Sequence, residues 1–338
     1  MMNFVIVGMG PAGIAAAQAI RAQDQNGRIT LIGDEHQGYY SRPGLAYFLT
    51  GEIHEWGLFT FRREDFKRWN FRILFARVRS VRPRNHRVEL HTGDELSYDR
   101  LLLAVGAQAA GLDLPGVGLD GLVVLDNMDD ARMILKSARK ARSAVVVGGG
   151  ITALEIAEGL NARGVKTHYF LRKDRYWSNV LDPVESRIVE QGLQKEGVQI
   201  HYHTELAEIK GRNGKIIGVV TKGGETIRCQ MVGVAVGIRP RLELARTAGL
   251  ESDRGILVNE HLQTSENNIY AAGDVAQVYD PRTGISVIDS LWGPAREQGH
   301  TAGLNMAGVQ TSYTKGIAFN VTRLGGLTTT IIGGVGPV

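Results

Sequence analysis

Two stretches of this chain carry glycines at a spacing suited to one task, holding the pyrophosphate of a dinucleotide. The first, NFVIVGMGPAGIAAAQAIRAQ, places G-x-G-x-x-G at Gly8, Gly10 and Gly13. The first glycine permits a tight turn, the second lets a pyrophosphate approach the backbone, and the third lets a helix lie close on the preceding strand. A helix opening at Pro11 and Ala12 would offer free N–H groups and a positive dipole end to the phosphates. Further on, RITLIGDE ends in Asp34 and Glu35, where an acid binds ribose hydroxyls. A lone glycine motif is weak; strand, helix, second strand and terminal acid together are specific.

The second stretch, SAVVVGGGITALEIAEGLNARGVKTHYFLRKDR, begins its turn at Gly148, 140 positions after Gly8. Gly150, Ile151 and Thr152 follow, with Ala153 in the third glycine position. Its second strand ends in Leu171, then Arg172, Lys173 and Arg175 in place of an acid. A carboxylate there would repel a 2′-phosphate, whereas arginine pairs with one through charge-assisted hydrogen bonds. This favours NADPH over NADH, against the plainer view of these cations as a solvated loop. Two units imply two dinucleotides, or one dinucleotide and an imperfect duplicate.

The elements that must position these residues are apolar strands and small-residue helices, and the chain has material for several cores. It has 338 residues, 43% hydrophobic and 22% charged. The single cysteine, Cys229, excludes an intrachain disulfide, a CxxC pair and a cysteine-rich metal site, so redox chemistry must come from a cofactor. The nine histidines form no H-E-x-x-H pattern, and no metal is expected; His201 and His203 alternate along an expected strand, turning one to solvent. The formal charge is +4, yet residues 62–87 hold ten Arg or Lys against Glu64 and Asp65, with Phe66, Trp69 and Phe71 interleaved. That stretch suits an acidic protein partner or is simply a solvated basic face over a core. Without a recognised module it does not suggest a nucleic-acid partner. MMNFVIVGMG enters a strand at once with no signal features, so a cytoplasmic protein is expected. The apolar tail from Gly316, broken by Asn320, Arg323 and glycines, suits short strands better than a membrane span.

With these motifs go four more: LSYDRLLLAVGA at 96–107, GVAVGIRPR at 233–241, NIYAAGDVA at 268–276 and LWGPAREQG at 291–299. In this order, over nearly the whole chain, they resemble the FAD-dependent pyridine nucleotide (disulfide) oxidoreductase family, and within it the rubredoxin reductase, ferredoxin reductase and nitrite reductase N-terminal group. The resemblance implies an α/β fold with two Rossmann-like dinucleotide-binding domains. An FAD domain of residues 1–108 and 240–308 would be interrupted by an NAD(P)H domain of 109–239, with LDLPGVGLDGLVVL as the crossover. Residues 309–338 resemble only the beginning of the family's longer C-terminal interface domain, so the resemblance leaves a homodimer open without implying it.

The resemblance also assigns roles. Arg42, Pro43, Val78, Ala104 and Gly106 fall to the FAD site, and Gly273 precedes Asp274, whose carboxylate would accept from a ribityl hydroxyl. The following helix N-terminus would face the flavin pyrimidine, where it stabilises negative charge. Gly237 would sit at a strand end beside the nicotinamide, and Trp292 near the flavin edge. Glu155 matches a helix glutamate that lies close to flavin and nicotinamide in the family and often pairs with a lysine; Tyr47 stands at the lysine position here, so the ion pair is absent. Glu155 taken alone is also readable as an exposed helix acid.

Disulfide-reducing relatives keep a cysteine in the flavin-facing segment, whereas YYSRPGLAYF has Pro43 there. The resemblance therefore implies an enzyme without an active-site cysteine. It would move hydride from NAD(P)H to flavin N5 and then electrons to a small redox protein such as rubredoxin or ferredoxin. Oxygen as acceptor, giving an NAD(P)H oxidase, and a flavin-bearing regulatory protein with little turnover are the alternatives.

Overall fold

The computed structural model describes residues 1–317 and 319–333. Residue 318 and residues 334–338, part of the segment expected to begin a third domain, lie outside the described residues. The helices are α1 (Pro11–Gln23), α2 (Gly44–Thr50), α3 (Arg63–Arg68), α4 (Met128–Ala138), α5 (Ile151–Ala162), α6 (Pro183–Lys195), α7 (Glu243–Ala248) and α8 (Trp292–Met306). Among the described residues no helix is long and apolar enough to cross a membrane.

The fold is α/β, and the chain divides into two compact units. The first holds Met1–Tyr40, Phe59–Gln108 and residues 239–317; the second holds Ser41–Leu58, Ala109–Ile238 and residues 319–333. The chain passes between the units near residues 108 and 239. Two segments lie elsewhere than expected: 41–58 goes with the second unit, and 309–333 forms no third unit but is shared between the two.

In the first unit a five-stranded parallel sheet runs in the order Ile269–Ala271, Arg100–Leu103, Asn3–Val7, Arg28–Gly33, Phe71–Phe75. Its central strands read as continuous apolar runs because parallel strands are covered on both faces; Phe4, Ile6, Leu31, Leu101 and Leu102 are all closed to solvent. The register pairs Val7 with Ile32 and with Leu103, so three strands end together and Gly8, Gly33 and Ala104 emerge along one edge. Ligands of open α/β sheets bind at this carboxyl edge. The residue after Gly273 leads first into the strand Ala276–Asp280, and the next helix is α8.

The second unit repeats the plan: Gln199–His201, Lys166–Phe170, Ser143–Val147, Met231–Val234 and Leu122–Val123 form a parallel sheet. A three-stranded antiparallel sheet, Leu206–Arg212, Lys215–Thr221 and Thr226–Ile227, shares a core with it around Val145, Phe170, Val219 and Val232. Residues 41–58 join this unit because α2 packs on α5. A Cβ on Gly159 would come within 2.7 Å of Leu49 Cβ, and Arg163 Nε donates to the Leu49 carbonyl at 2.8 Å. A hairpin, Phe319–Leu324 and Leu327–Ile332, turns on Gly325 and Gly326, both at positive φ as a two-residue loop demands.

Candidate nucleotide sites

In the first unit, Gly8 adopts φ +114°, and a Cβ there would lie 2.1 Å from the Ala104 carbonyl oxygen. Only glycine fits this turn. Gly10 is different: a Cβ on it would meet nothing within 4 Å, so its face opens onto free space at the start of α1. α1 has Pro11 at its first position, no side-chain cap and no acid in its first turn. An open cradle at an uncapped helix N-terminus suits a pyrophosphate. Of the two acids past the strand, Asp34 is exposed, while Glu35 is half-buried and accepts the Tyr40 hydroxyl at 2.6 Å. Held in this way, Glu35 is the better oriented for a ribose.

Ala104 donates its N–H to the Val7 carbonyl at 2.8 Å, and Gly106 turns the chain at φ +65°. Val78 is 7% exposed and packs in the core, so any contact it makes with a ligand falls to its main chain. Gly273, at φ +79°, donates to the buried Gln298 side chain at 2.8 Å, which fixes the backbone from which half-exposed Asp274 projects. Trp292 opens α8 with the Arg296 guanidinium 4.8 Å from its ring. It also hydrogen-bonds the hydroxyl of Tyr39, whose pKa burial pushes up.

The cations of 62–87 are exposed, whereas Phe66, Trp69 and Phe71 turn inward to the core. Arg68 pairs with Asp65 at 3.0 Å, and Arg79 and Arg82 pair with Glu89. Arg63, Lys67 and Arg72 form no ion pair among the described residues.

The second unit contains a cleft of about 620 Å³, within the size range of cofactor sites. It brings together Gly148, Gly150, Ile151, Thr152, Arg172, Lys173 and Gly237. Gly148 repeats the geometry of Gly8, with a Cβ 2.1 Å from the Ala235 carbonyl oxygen, and Gly150 faces open space at the uncapped start of α5. A Cβ on Gly237 would also meet nothing, leaving a flat approach to the backbone. Arg172 and Lys173 are exposed on the cleft, while Arg175 is held by Asp174 at 3.2 Å and by the Ser178 carbonyl. The cleft also takes in Trp177, Asn179 and Glu205, which no motif singles out.

Tyr47 and Glu155, assigned to one place by resemblance, do line one small crevice of this unit, with Thr50, Glu52, Glu158, Thr322 and Arg323. Pro43 caps α2 at φ −58°, and Arg42 Nη1 donates to the Asp126 carbonyl at 2.6 Å. Burial pushes the carboxyl of Glu155 up to about 7. Glu158 also rises to about 7, through burial and then the charge of Glu196, against the pull of Gly326 N–H and Arg323. Glu158 was not anticipated, although two acids three residues apart in the apolar run ITALEIAEGL are a readable signal.

His203 is exposed in a turn past the strand end, whereas His201 lies against His168, its Nε2 3.0 Å from His168 Nδ1. Among the described residues no group of three or more His, Cys, Asp or Glu could hold a metal ion.

Residues 2–299 match the model of the pyridine nucleotide-disulphide oxidoreductase family. The chain belongs to this family. Among curated relatives, the NADH oxidase of Methanocaldococcus jannaschii is 33% identical over 99% of this chain and 76% of its own length. The rubredoxin-NAD(+) reductase of Pseudomonas putida is 34% identical over 81% of this chain and 72% of its own. Among solved structures, the reductase of the covalent putidaredoxin reductase–putidaredoxin complex superposes with a TM-score of 0.92 at 27% identity, covering 98% of this chain and 81% of that one.

Proposed function

We propose that this family member is an FAD-dependent NAD(P)H oxidoreductase that delivers electrons to a small redox protein such as rubredoxin or ferredoxin. The observation that carries it is the pair of glycine turns, Gly8–Gly13 and Gly148–Thr152, each at the carboxyl edge of its own parallel sheet, one followed by an acid and the other by cations. In the first unit Gly10 and α1 would hold the pyrophosphate of FAD, Glu35 the adenosine ribose and Asp274 the ribityl chain. The α8 N-terminus would favour negative charge at the flavin pyrimidine. In the second unit Gly237 would leave room for the nicotinamide, and Arg172 with Lys173 would take a 2′-phosphate, favouring NADPH while NADH remains a substrate. Flavin, when bound, supplies the ability to take a hydride and return its electrons one at a time. The protein supplies alignment and charge, with Glu155 and Tyr47 beside the reacting groups.

Cys229 fits a cysteine-independent enzyme: it is fully buried, and burial pushes its thiol up to about 12, far from a thiolate at neutral pH. The relatives named for rubredoxin reduction and the reductase solved with putidaredoxin support a protein acceptor. The relative named NADH oxidase supports oxygen as the second reading. The FAD-loaded protein, given NADPH or NADH with rubredoxin in air, separates them. Rubredoxin reduction well above oxygen uptake is expected. Oxygen uptake matching nucleotide consumption without rubredoxin would make the protein an oxidase.

A further inference from the structure

The segment between the strand Lys166–Phe170 and α6 carries Arg172 and Lys173, and further along it Trp177 lines the same cleft. Trp177 is half-buried and sits at φ +47°, a left-handed backbone that bulky side chains rarely adopt. Such a conformation persists only where its surroundings hold it, and here hydrogen bonds hold it on both sides. Before it, α6 grips Tyr176: Glu190 Oε1 accepts the Tyr176 N–H at 2.7 Å, and Ser186 Oγ donates to the Tyr176 carbonyl at 2.8 Å. Glu190 Oε2 in turn accepts the Tyr202 hydroxyl at 2.9 Å. After it, the Trp177 carbonyl accepts the N–H groups of Val180 and Leu181 at 2.8 and 3.0 Å. The start of the segment is fastened too, since the Leu171 and Lys173 carbonyls accept from Thr204 and His203 at 3.0 and 3.2 Å. Glu190 and Ser186 are buried and stand outside the lining of the cleft.

We propose that Trp177 is the base-stacking residue of this cleft, receiving the adenine ring of the nicotinamide dinucleotide, and that Glu190 and Ser186 are positioning residues that hold it in place. The inference rests on the nucleotide reading of the second unit. With the pyrophosphate at Gly148 and Gly150, the adenosine half runs over the end of the second strand of the βαβ unit, and its ribose meets the residues that follow that strand. Those residues are Arg172 and Lys173, so the base beyond the ribose lies toward the rest of the same segment. The lining holds two aromatic side chains, Phe170 and Trp177. Phe170 is 1% exposed and packs in the core, which leaves the indole as the aromatic surface open to a ligand. A flat base stacks on such a surface whatever the ribose carries. A backbone fixed by this many hydrogen bonds leaves little ordering for the ligand to impose. The two devices then divide the work: Trp177 sets an affinity common to NADPH and NADH, and the cations set the difference between them.

The test titrates the FAD-loaded protein with ADP, which carries the adenine half alone, by calorimetry and by indole fluorescence. Trp177→Ala is expected to weaken ADP by about tenfold or more, the size of a lost base stack, and to raise the KM for NADPH and for NADH together. Trp177→Phe should keep most of the ADP affinity and Trp177→Leu should not. ADP should quench indole fluorescence in the natural protein, and Trp177→Phe should bind ADP without that quenching. Glu190→Ala should weaken ADP severalfold and lower the quenching at saturation, with Glu190→Gln, which can still accept the Tyr176 N–H, restoring both. ADP affinity unchanged in Trp177→Ala, leucine serving as well as phenylalanine, or quenching that survives in Trp177→Phe overturns the stacking alone, as does a natural protein that binds NADPH but no ADP. Glu190→Ala with the affinity and quenching of the natural protein removes the positioning role. A natural protein that binds neither ADP, NADPH nor NADH overturns the nucleotide reading, and the stacking with it.

Discussion

Glu158 on α5 accepts the backbone N–H of Gly326 at 3.3 Å, a contact between residues 168 positions apart. It fastens the hairpin to the helix that carries Glu155, and Gly192 on α6 adds to the seat, since a Cβ there would meet the Gly325 carbonyl oxygen at 2.1 Å. The helix, the hairpin and the two carboxylates therefore share one environment.

Stability should carry the mark of those carboxyls. Both have folded pKa values near 7, above the unfolded value of about 4.3 for glutamate. Between these limits the folded protein binds more protons than the unfolded chain, so the contribution of both groups to stability falls as pH rises from about 4 to about 7 and then levels off. Denaturant unfolding from pH 4.5 to 8 should show this loss. Glu155→Gln and Glu158→Gln should each flatten it relative to the natural protein, and equal slopes in all three would remove the shifted pKa values.

Gly8 and Gly10 should answer differently to alanine. Gly8→Ala strains a positive φ and drives a methyl into the Ala104 carbonyl, so a loss of about 1–3 kcal/mol or more in unfolding free energy is expected. Gly10→Ala meets no protein atom and should leave apoprotein stability within about 0.5 kcal/mol. Its methyl would instead stand in the pyrophosphate approach, and FAD binding should weaken by about tenfold or more, the equivalent of a steric cost above about 1.4 kcal/mol. Thermal melts and flavin titrations measure the two effects separately.

The choice between nucleotides rests on Arg172 and Lys173. A charge-assisted hydrogen bond is worth about 1.5–3 kcal/mol, so Arg172→Ala should raise the KM for NADPH about tenfold to a hundredfold. The KM for NADH should change little. Equal effects on both would end the 2′-phosphate assignment.

The basic face of α3 should steer an acidic acceptor. Exposed charges act mainly on association rate and are screened by salt. Arg63→Glu with Lys67→Glu should raise the KM for rubredoxin severalfold at low ionic strength, with the difference from the natural protein closing in high salt. A salt-independent KM in both would place docking elsewhere.

The parallel sheets and glycine turns were legible in the chain because each obeys a local rule: a buried strand must be apolar, and a backbone passing 2 Å from a would-be Cβ must be glycine. Gly148 follows that rule and shares its cleft with Arg172 and Lys173, which end the same motif, whereas Gly237, where a Cβ would meet nothing, is assigned to it from sequence only by the family resemblance. What stayed hidden depends on long-range packing. Nothing in GLAYFLT says which core Leu49 enters, and Gly159, the partner that draws residues 41–58 into the second unit, lies 110 positions away. The meeting of Glu158 with Gly326 is of the same kind. Phe66 and Trp69 showed their type but not their direction, since an aromatic among arginines suits a core as well as a surface.

The most direct test is anaerobic mixing of the FAD-loaded protein with NADPH, then with NADH, while the visible flavin band is followed. Bleaching within the time of a catalytic turnover, by NADPH at lower concentration than by NADH, is the predicted result. A flavin that stays oxidised with both nucleotides would contradict the assignment of this protein as an NAD(P)H oxidoreductase.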